Sequence, residues 1–362
     1  MTKIYLVRHA EAEGNLYRIA QGQDNSNLTD RGWRQVEAVE RRFADIHIDA
    51  VYASDLYRTC ATASAIYKPK GLTLHRRKDL REICVGVWEQ RTWGDIARED
   101  EEQMTYFNLR PDLWSVEGAE TPQQVTERVL AAAREIAAAN EGKTVALVSH
   151  GYAIRLLLAA VQGIALADLA KTPVADNTAV SLMEYENGEM RVVFRDDSSH
   201  LKTPEYLAGE KVLLRASALE VGLYFQPLRL PEQADTFAAF MEEIWSETGC
   251  QTVFDRSRLL ADAKERTTLV GFLRGEFVGV VQMVPEEGWL SVVCVKEEAR
   301  KKGFGAQLIG QAVLASRRAG SKTLRAPRGR GEKFFADYGF LPSEDGAVLE
   351  KHIAFNPEFL SE

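Results

Sequence analysis

Over the first two hundred residues, short apolar-rich runs alternate with longer stretches in which apolar positions return every three or four residues. Residues 3–7, 49–53 and 144–148 each open on one polar residue, Lys3, Asp49 or Thr144, and continue in Ile, Val, Tyr, Leu and Ala up to the next polar residue. Runs of that length and composition read as strands covered on both faces. Between and after them the helical period takes over, at 30–44, 55–67, 121–139 and 152–162. Strands alternating with helices predict an α/β layered domain. Near residue 224 the rhythm changes. "FQPLRL" reads as a strand, "PEQADTFAAFMEEIWSE" as a helix, and "TLVGFLRGEFVGVVQMVPEEGWLSVVCV" as three strands turning at Arg274-Gly275 and Glu287-Gly288. A helix at 304–319, a short strand, a short helix around 331–338 and a last strand "AVLEKHI" follow. Hairpins followed by a helix predict a separate α+β domain. The expected division is a first domain over 1–207, a linker over 208–222 and a second domain over 223–362.

Composition narrows the class. The chain has 362 residues, 45% hydrophobic and 27% charged, which suits two globular cores rather than disorder. No apolar run approaches the roughly 20 residues that span a bilayer, and the opening "MTKIYLVRHA" is too short in apolar residues for a signal peptide. The expectation is a cytoplasmic protein. Cys60, Cys84, Cys250 and Cys294 are widely spaced without a CxxC pair, the pattern of free thiols in a reducing compartment. The net charge of −8 argues against bulk nucleic-acid binding, yet residues 300–333 carry ten Lys or Arg and one acid, Glu332.

The chemistry begins where the strands end. "YLV" runs into Arg8-His9, "VALV" into Ser149-His150-Gly151, and "DAVYA" into "SDLYRTCATA", where Ser54 can cap a helix and Arg58 lies in its first turn. Ligands of open α/β sheets bind at the carboxyl ends of strands, and helix amino termini favour anions. Two imidazoles and two guanidiniums converging there point to a phosphate. A neutral imidazole attacks phosphorus without a metal, and paired guanidiniums match phosphate oxygens while repelling a cation. No catalytic metal is expected. His47, His75, His200 and His352 have no comparable partner set and read as structural.

These segments resemble the histidine phosphatase superfamily, the group that includes cofactor-dependent phosphoglycerate mutases and small phosphatases. The resemblance runs over about residues 1–205 and rests on "LVRHAEAEGN", "QGQDNSNLTDRGWRQVEAV", "YASDLYRTCATA", "LREICVGVWEQRTWGDI", "VSHG" and "DDSSHL" in that order. It implies a three-layer α/β/α domain. By it His9 is the nucleophile, Glu82 the acid and base, Arg8, Arg58 and His150 the phosphate clamp, and Asn15, Gln21 and Gly22 the substrate mouth. Glu82 is preferred to Glu89 for its place in "LRE". The compactness of the domain favours hydrolysis of a small phosphomonoester over mutase chemistry.

In the second domain "VVCVKEEARKKGFGAQLIGQAVLASRRAG" places a strand, a basic glycine turn and a helix in series. Glycines let backbone amides approach a ligand, and the helix start adds positive potential, as a pyrophosphate requires. Arg300 to Gly305 fits R-x-x-G-x-G/A, and with the hairpins and "FFADYGFLP" the segment resembles the GNAT acetyltransferases over about residues 223–355. The resemblance implies acetyl-CoA as cofactor and an amine as acceptor. Backbone groups of Val293 and Val295 would pair the pantetheine arm. Arg300, Lys301, Lys302, Gly303, Phe304, Gly305 and Ala306 would hold the pyrophosphate. One departure stands out: Phe335 aligns where the family often has a proton-donating tyrosine, with Tyr338 a turn further on.

Overall fold

The strand β1 (Thr2–Arg8) shows why the first domain needs two covers. Ile4 and Leu6 on one side and Val7 on the other are all fully buried. The computed structural model describes residues 1–208, 222–247, 254–329 and 331–360. The expected linker, apart from its end residues, and Cys250 therefore lie outside the described residues.

Beside β1 in the first sheet stand β2 (Ala50–Ser54), β3 (Leu74–Arg77), β4 (Thr144–Ser149), β5 (Val180–Glu186) and β6 (Glu189–Asp197), in the order β3-β2-β4-β1-β5-β6. The first four in that order run parallel, with Arg8 opposite Ser149 and Ala53 opposite Val148. β5 and β6 are antiparallel. Val7, Val51, Ala53, Ala146 and Val148 pack with the helices Asp30–Phe43 and Tyr57–Tyr67, while Ile4, Leu6, Val145 and Leu147 are buried on the alternate face. The helices Pro122–Ala139 and Gly151–Val161 pack with the sheet strands too. The expected α/β/α class is thus observed. The helix starts follow local chemistry: Thr29 Oγ1 accepts from Gly32 N at 3.0 Å, and Thr121 and Gln124 form a capping box ahead of Pro122.

A second sheet comprises β7 (Tyr224–Pro227), β8 (Thr267–Leu273), β9 (Glu276–Val284), β10 (Trp289–Val295), β11 (Thr323–Pro327), β12 (Leu341–Pro342) and β13 (Val348–His352), ordered β12-β13-β11-β10-β9-β8-β7. The β8–β9 turn sits at Arg274-Gly275 as expected. Both residues have positive φ, 51° and 91°, the geometry whose twist matches a two-residue hairpin. The helix Phe304–Arg318 packs on β9 and β10.

The chain divides into two compact units: Met1–Arg91 with Glu99–Lys211 and Phe355–Glu362, and Thr92–Arg98 with Val212–Ala354. This differs from the contiguous division expected from the sequence, because two short segments pack away from their neighbours in the chain. Thr92 Oγ1 donates to the Leu223 carbonyl at 2.9 Å, Asp95 Oδ1 accepts from Phe225 N at 2.9 Å, and Arg98 lies over the Tyr224 ring. In the first unit, buried Phe359 meets Tyr57 edge-on at 5.7 Å, and Arg76 donates to the Glu358 and Leu360 carbonyls. Phe359→Ala is therefore expected to destabilise the first unit, by about 3 kcal/mol. Calorimetry of the full chain reads this as a fall in one transition, and an unchanged thermogram refutes it.

Candidate active site and cofactor loop

His9, Ser54 and His150 stand at or just past the carboxyl ends of three adjacent strands, β1, β2 and β4. His9 N donates to the Ser149 carbonyl at 2.9 Å, which ties the end of one strand to the next. The His9 ring is 5% exposed, and its Nδ1 lies 2.7 Å from the Ala10 carbonyl. A carbonyl only accepts, so Nδ1 carries the proton and Nε2 the lone pair. Ala10 is itself held, since its N–H donates to Thr62 Oγ1 at 2.9 Å. Burial, and then the charges of Arg58 and Arg8, hold the His9 imidazole well below its ordinary value. His9 is consequently neutral near pH 7.

His150 is fully buried, its ring 5.3 Å from that of His9. Its Nε2 lies 2.8 Å from Ser54 Oγ. Burial and the Arg58 charge again hold it well below the usual imidazole range. Ser54 does not cap the helix Tyr57–Tyr67 as the sequence suggested. The cap position is Leu56, and Asn25 Oδ1 accepts from Tyr57 N at 2.8 Å instead. A serine ending a strand signals either use equally, and only the fold brings His150 to it.

Arg58 is 1% exposed and donates to the Asp24 and Gly22 carbonyls, each at 2.8 Å. Burial lowers its guanidinium to about 10, still charged at neutral pH. Arg8 donates to the Ala175 carbonyl. Among the described residues no group partners Arg8 Nε, Arg58 Nε or His150 Nδ1, although all three atoms are buried. Each such atom costs about 1–3 kcal/mol unless a ligand satisfies it. Three of them near one neutral imidazole form a cradle for an anion.

Glu82 is 9% exposed. Its oxygens accept from Ile83 N at 3.1 Å, Ala153 N at 2.9 Å and Tyr152 N at 3.0 Å, so the carboxyl sits against the first turn of the helix that follows His150. Glu89 serves a different purpose, accepting from Gly22 N at 3.0 Å and Gln23 N at 2.8 Å and so fixing that loop. A Cβ at Gly22 would stand 2.4 Å from the Ile83 carbonyl, so only glycine fits between Glu89 and the Glu82 segment. Gln21 lies against Gly14, and Asn15, exposed, accepts from Ala12 N at 3.0 Å. Sequence reasoning missed Arg128, which donates to the Asp79, Arg81 and Glu82 carbonyls and pairs with Glu120, bracing the Glu82 segment. A lone arginine on a helix gives no sign of that. Among the described residues no group of three His, Cys, Asp or Glu comes together as a metal site.

In the second unit, Lys301 and Gly303 take positive φ, 59° and 82°, and Gly303 caps the helix Phe304–Arg318 without a side-chain cap. The amides of Gly303 to Ala306 thus open the helix, with Lys301 and Lys302 exposed beside them. The Phe304 side chain is buried with Leu223, Val278 and Ala299 and leaves only its backbone available. Gly305 answers to packing, since a Cβ would stand 2.6 Å from the Phe334 ring. Arg300 pairs with Glu247 and donates to the Val295 carbonyl at 2.9 Å, engaging one backbone group expected for the cofactor arm. Arg325 pairs with Glu350 and Arg328 with Glu332, so part of the basic run is neutralised locally. β10 and β11 pair at Trp289 and Arg325, while β10 from Val292 to Val295 pairs with β9. Phe335 is buried against Phe340, and Tyr338 packs on Phe334.

An α/β sheet whose parallel strands end on two neutral imidazoles, with two arginines and a carboxyl gathered there, is the frame of a phosphate-handling domain. The chain belongs to the histidine phosphatase superfamily (branch 1), whose family model matches residues 4–198. The model of the acetyltransferase (GNAT) family matches residues 228–340. The chain is 31% identical over 209 residues to a probable phosphoglycerate mutase, GpmB, of Salmonella typhi, covering 56% of this chain and 97% of that protein. Among solved structures, YhfR of Bacillus stearothermophilus is 30% identical with a TM-score of 0.54, covering 56% of this chain and all of its own. The phosphoserine phosphatase of Entamoeba histolytica, solved with 3-phosphoglyceric acid, is 25% identical with a TM-score of 0.50, over 56% of this chain and all of its own. No helix among the described residues is long and apolar enough to cross a membrane.

Proposed function

We propose that the first unit hydrolyses a small phosphomonoester through a phosphohistidine on His9. The carrying observation is the neutral His9 imidazole, its Nδ1 proton committed to the Ala10 carbonyl, beside three unpartnered buried nitrogens of Arg8, Arg58 and His150. The Nε2 lone pair forms a bond to phosphorus as the ester P–O bond breaks, and the leaving oxygen takes a proton from Glu82. Positive charge developing on the ring is met by the Ala10 carbonyl, and charge on the phosphoryl oxygens by the two guanidiniums and His150. Water then gives its proton to Glu82 and its oxygen to phosphorus, and the P–N bond breaks. Asn15, Gln21 and Gly22 line the mouth that selects the alcohol. Glu82→Gln, which cannot carry the proton, is expected to lower kcat roughly 10²- to 10⁴-fold with a smaller change in KM. Steady-state assay on p-nitrophenyl phosphate and phosphoserine decides it, and unchanged kcat removes Glu82 from that role. Free phosphate as the product, rather than an isomeric phosphoester, separates hydrolysis from mutase chemistry.

The second unit is proposed to bind acetyl-CoA and to transfer the acetyl group to an amine. The residues present suit the cofactor: the Gly303–Ala306 amides and Lys301 and Lys302 would hold the pyrophosphate, and the edge of β10 near Val293, which pairs only with β9 among the described residues, the pantetheine arm. Bound there, the thioester would supply the acyl group. Phe335 offers no proton to the departing thiolate, and Tyr338, whose phenol burial pushes up, remains a protonated hydroxyl one turn on. Acetyl-CoA at a hundredfold excess over Kd is expected to stabilise this unit by about 2.7 kcal/mol. Gly303→Val, strained at a φ of 82°, should abolish that gain. Absence of a melting shift in the wild type excludes cofactor binding.

A further inference from the structure

The motif "DDSSHL" holds a histidine that the proposed phosphoryl chemistry does not use. His200 is 7% exposed, with Arg42 on one side of its ring and Thr178 on the other. Every hydrogen bond in this cluster has a fixed direction. Arg42 pairs with Asp197 at 2.7 Å, and a guanidinium only donates, so its contact at 3.2 Å makes His200 Nδ1 an acceptor. The proton of the neutral ring then sits on Nε2, which donates to Thr178 Oγ1 at 3.0 Å. The Thr178 hydroxyl is left to donate to the Asn177 carbonyl at 2.7 Å. Thr178 is fully buried at a φ of 60°, a region that β-branched residues avoid. Next to this strained point lies the nucleophile's own backbone. Thr178 N donates to the Arg8 and His9 carbonyls at 3.1 and 3.3 Å, and Asn177 Nδ2 to the His9 carbonyl at 3.0 Å.

We propose that His200 is a positioning residue for the nucleophile: it holds Thr178 in its left-handed conformation, so that Thr178 and Asn177 clamp the His9 carbonyl. The reading rests on His9 as the nucleophile and gives the carboxy-terminal motif of the first unit a role that its sequence alone did not disclose. Burial and the Arg42 charge lower the His200 imidazole to about 4, which keeps the donor pattern intact at neutral pH. The clamp acts on the backbone of Arg8 and His9, so its loss should move the attacking ring while the contacts that hold Arg58 and His150, which run to Asp24, Gly22 and Ser54, stay in place.

The test uses the full chain and p-nitrophenyl phosphate. His200→Ala is expected to lower kcat about 100-fold with little change in KM, the cost of a misplaced attacking atom. His200→Gln supplies both an acceptor for Arg42 and a donor for Thr178 and should recover most of the loss. Thr178→Gly removes the backbone strain, so adding it to His200→Ala should restore part of kcat rather than worsen it. If His200→Ala fails to fold, Thr178→Val, which keeps shape and removes the hydroxyl, should show the same selective fall in kcat. A lowered melting temperature with wild-type kcat overturns the proposal, as does a glutamine variant no better than alanine. His9→Ala assayed alongside separates the ideas. Turnover by that variant removes the nucleophile reading and this one with it, while a dead His9→Ala beside a fully active His200→Ala removes only the positioning role.

Discussion

His9→Ala is expected to abolish phosphatase turnover while the first unit stays folded. Among the described residues of the cradle, no other side chain has the same combination of a lone pair and a fixed proton. His150 Nε2 is occupied by Ser54, and Glu82 is held by three backbone amides. Removing a covalent nucleophile costs on the order of 10⁴- to 10⁶-fold in kcat. The matching positive experiment is mass spectrometry of wild-type protein quenched at alkaline pH after incubation with phosphomonoesters, which should locate phosphate on His9. The variant should show none. Turnover by His9→Ala within a few-fold of wild type reassigns the nucleophile.

A second large effect is expected in acid. His9, His150 and His200 are all buried and neutral, each held below the ordinary value near 6.5, principally by burial. In the unfolded chain they titrate normally, so below about pH 6.5 the unfolded state binds more protons than the folded one. Stability contributed by keeping them neutral is complete above that pH. It falls as pH drops toward the folded values, which for His200 is about 4. Three protons correspond to a limiting slope of about 4 kcal/mol per pH unit. Urea melts of the full chain at pH 7, 6 and 5 should show the first unit losing stability steeply. A midpoint unchanged over that range would mean that these imidazoles titrate as in water. Inorganic phosphate, by filling the cradle, should raise the midpoint at each pH.

How far the sequence disclosed this molecule depends on whether a signal was local. The parallel strands and their flanking helices are legible from periodicity, and Arg8, His9, Arg58 and His150 from their positions at strand ends. The Arg274-Gly275 turn is legible because a glycine, which takes positive φ freely, stands between two strand-like runs. Ser54 misleads, because hydrogen bonding to a helix amide and to a distant imidazole demand the same hydroxyl. His200 reads as structural in the sequence, since its partners Arg42 and Thr178 are far away along the chain. β5 is not among the strand runs read from the sequence, and so the turn just ahead of it, which holds Thr178, raises no expectation. The basic run at 300–333 is legible as charge, while Arg300 and Arg325 find carboxylates, Glu247 and Glu350, that lie outside it along the chain.

The two exchanged segments have a practical consequence for anyone wishing to separate the activities. A cut in the stretch between residues 208 and 222 yields an amino-terminal fragment that lacks the Phe359 anchor and carries Thr92–Arg98 without its cover. The carboxy-terminal fragment loses the carboxylate of Asp95 that closes Phe225, and keeps an apolar tail with nothing beneath it. Single-cut expression would therefore give two sticky halves. Point variants in the intact chain, or co-expression of both fragments, are the means by which each activity can be studied alone.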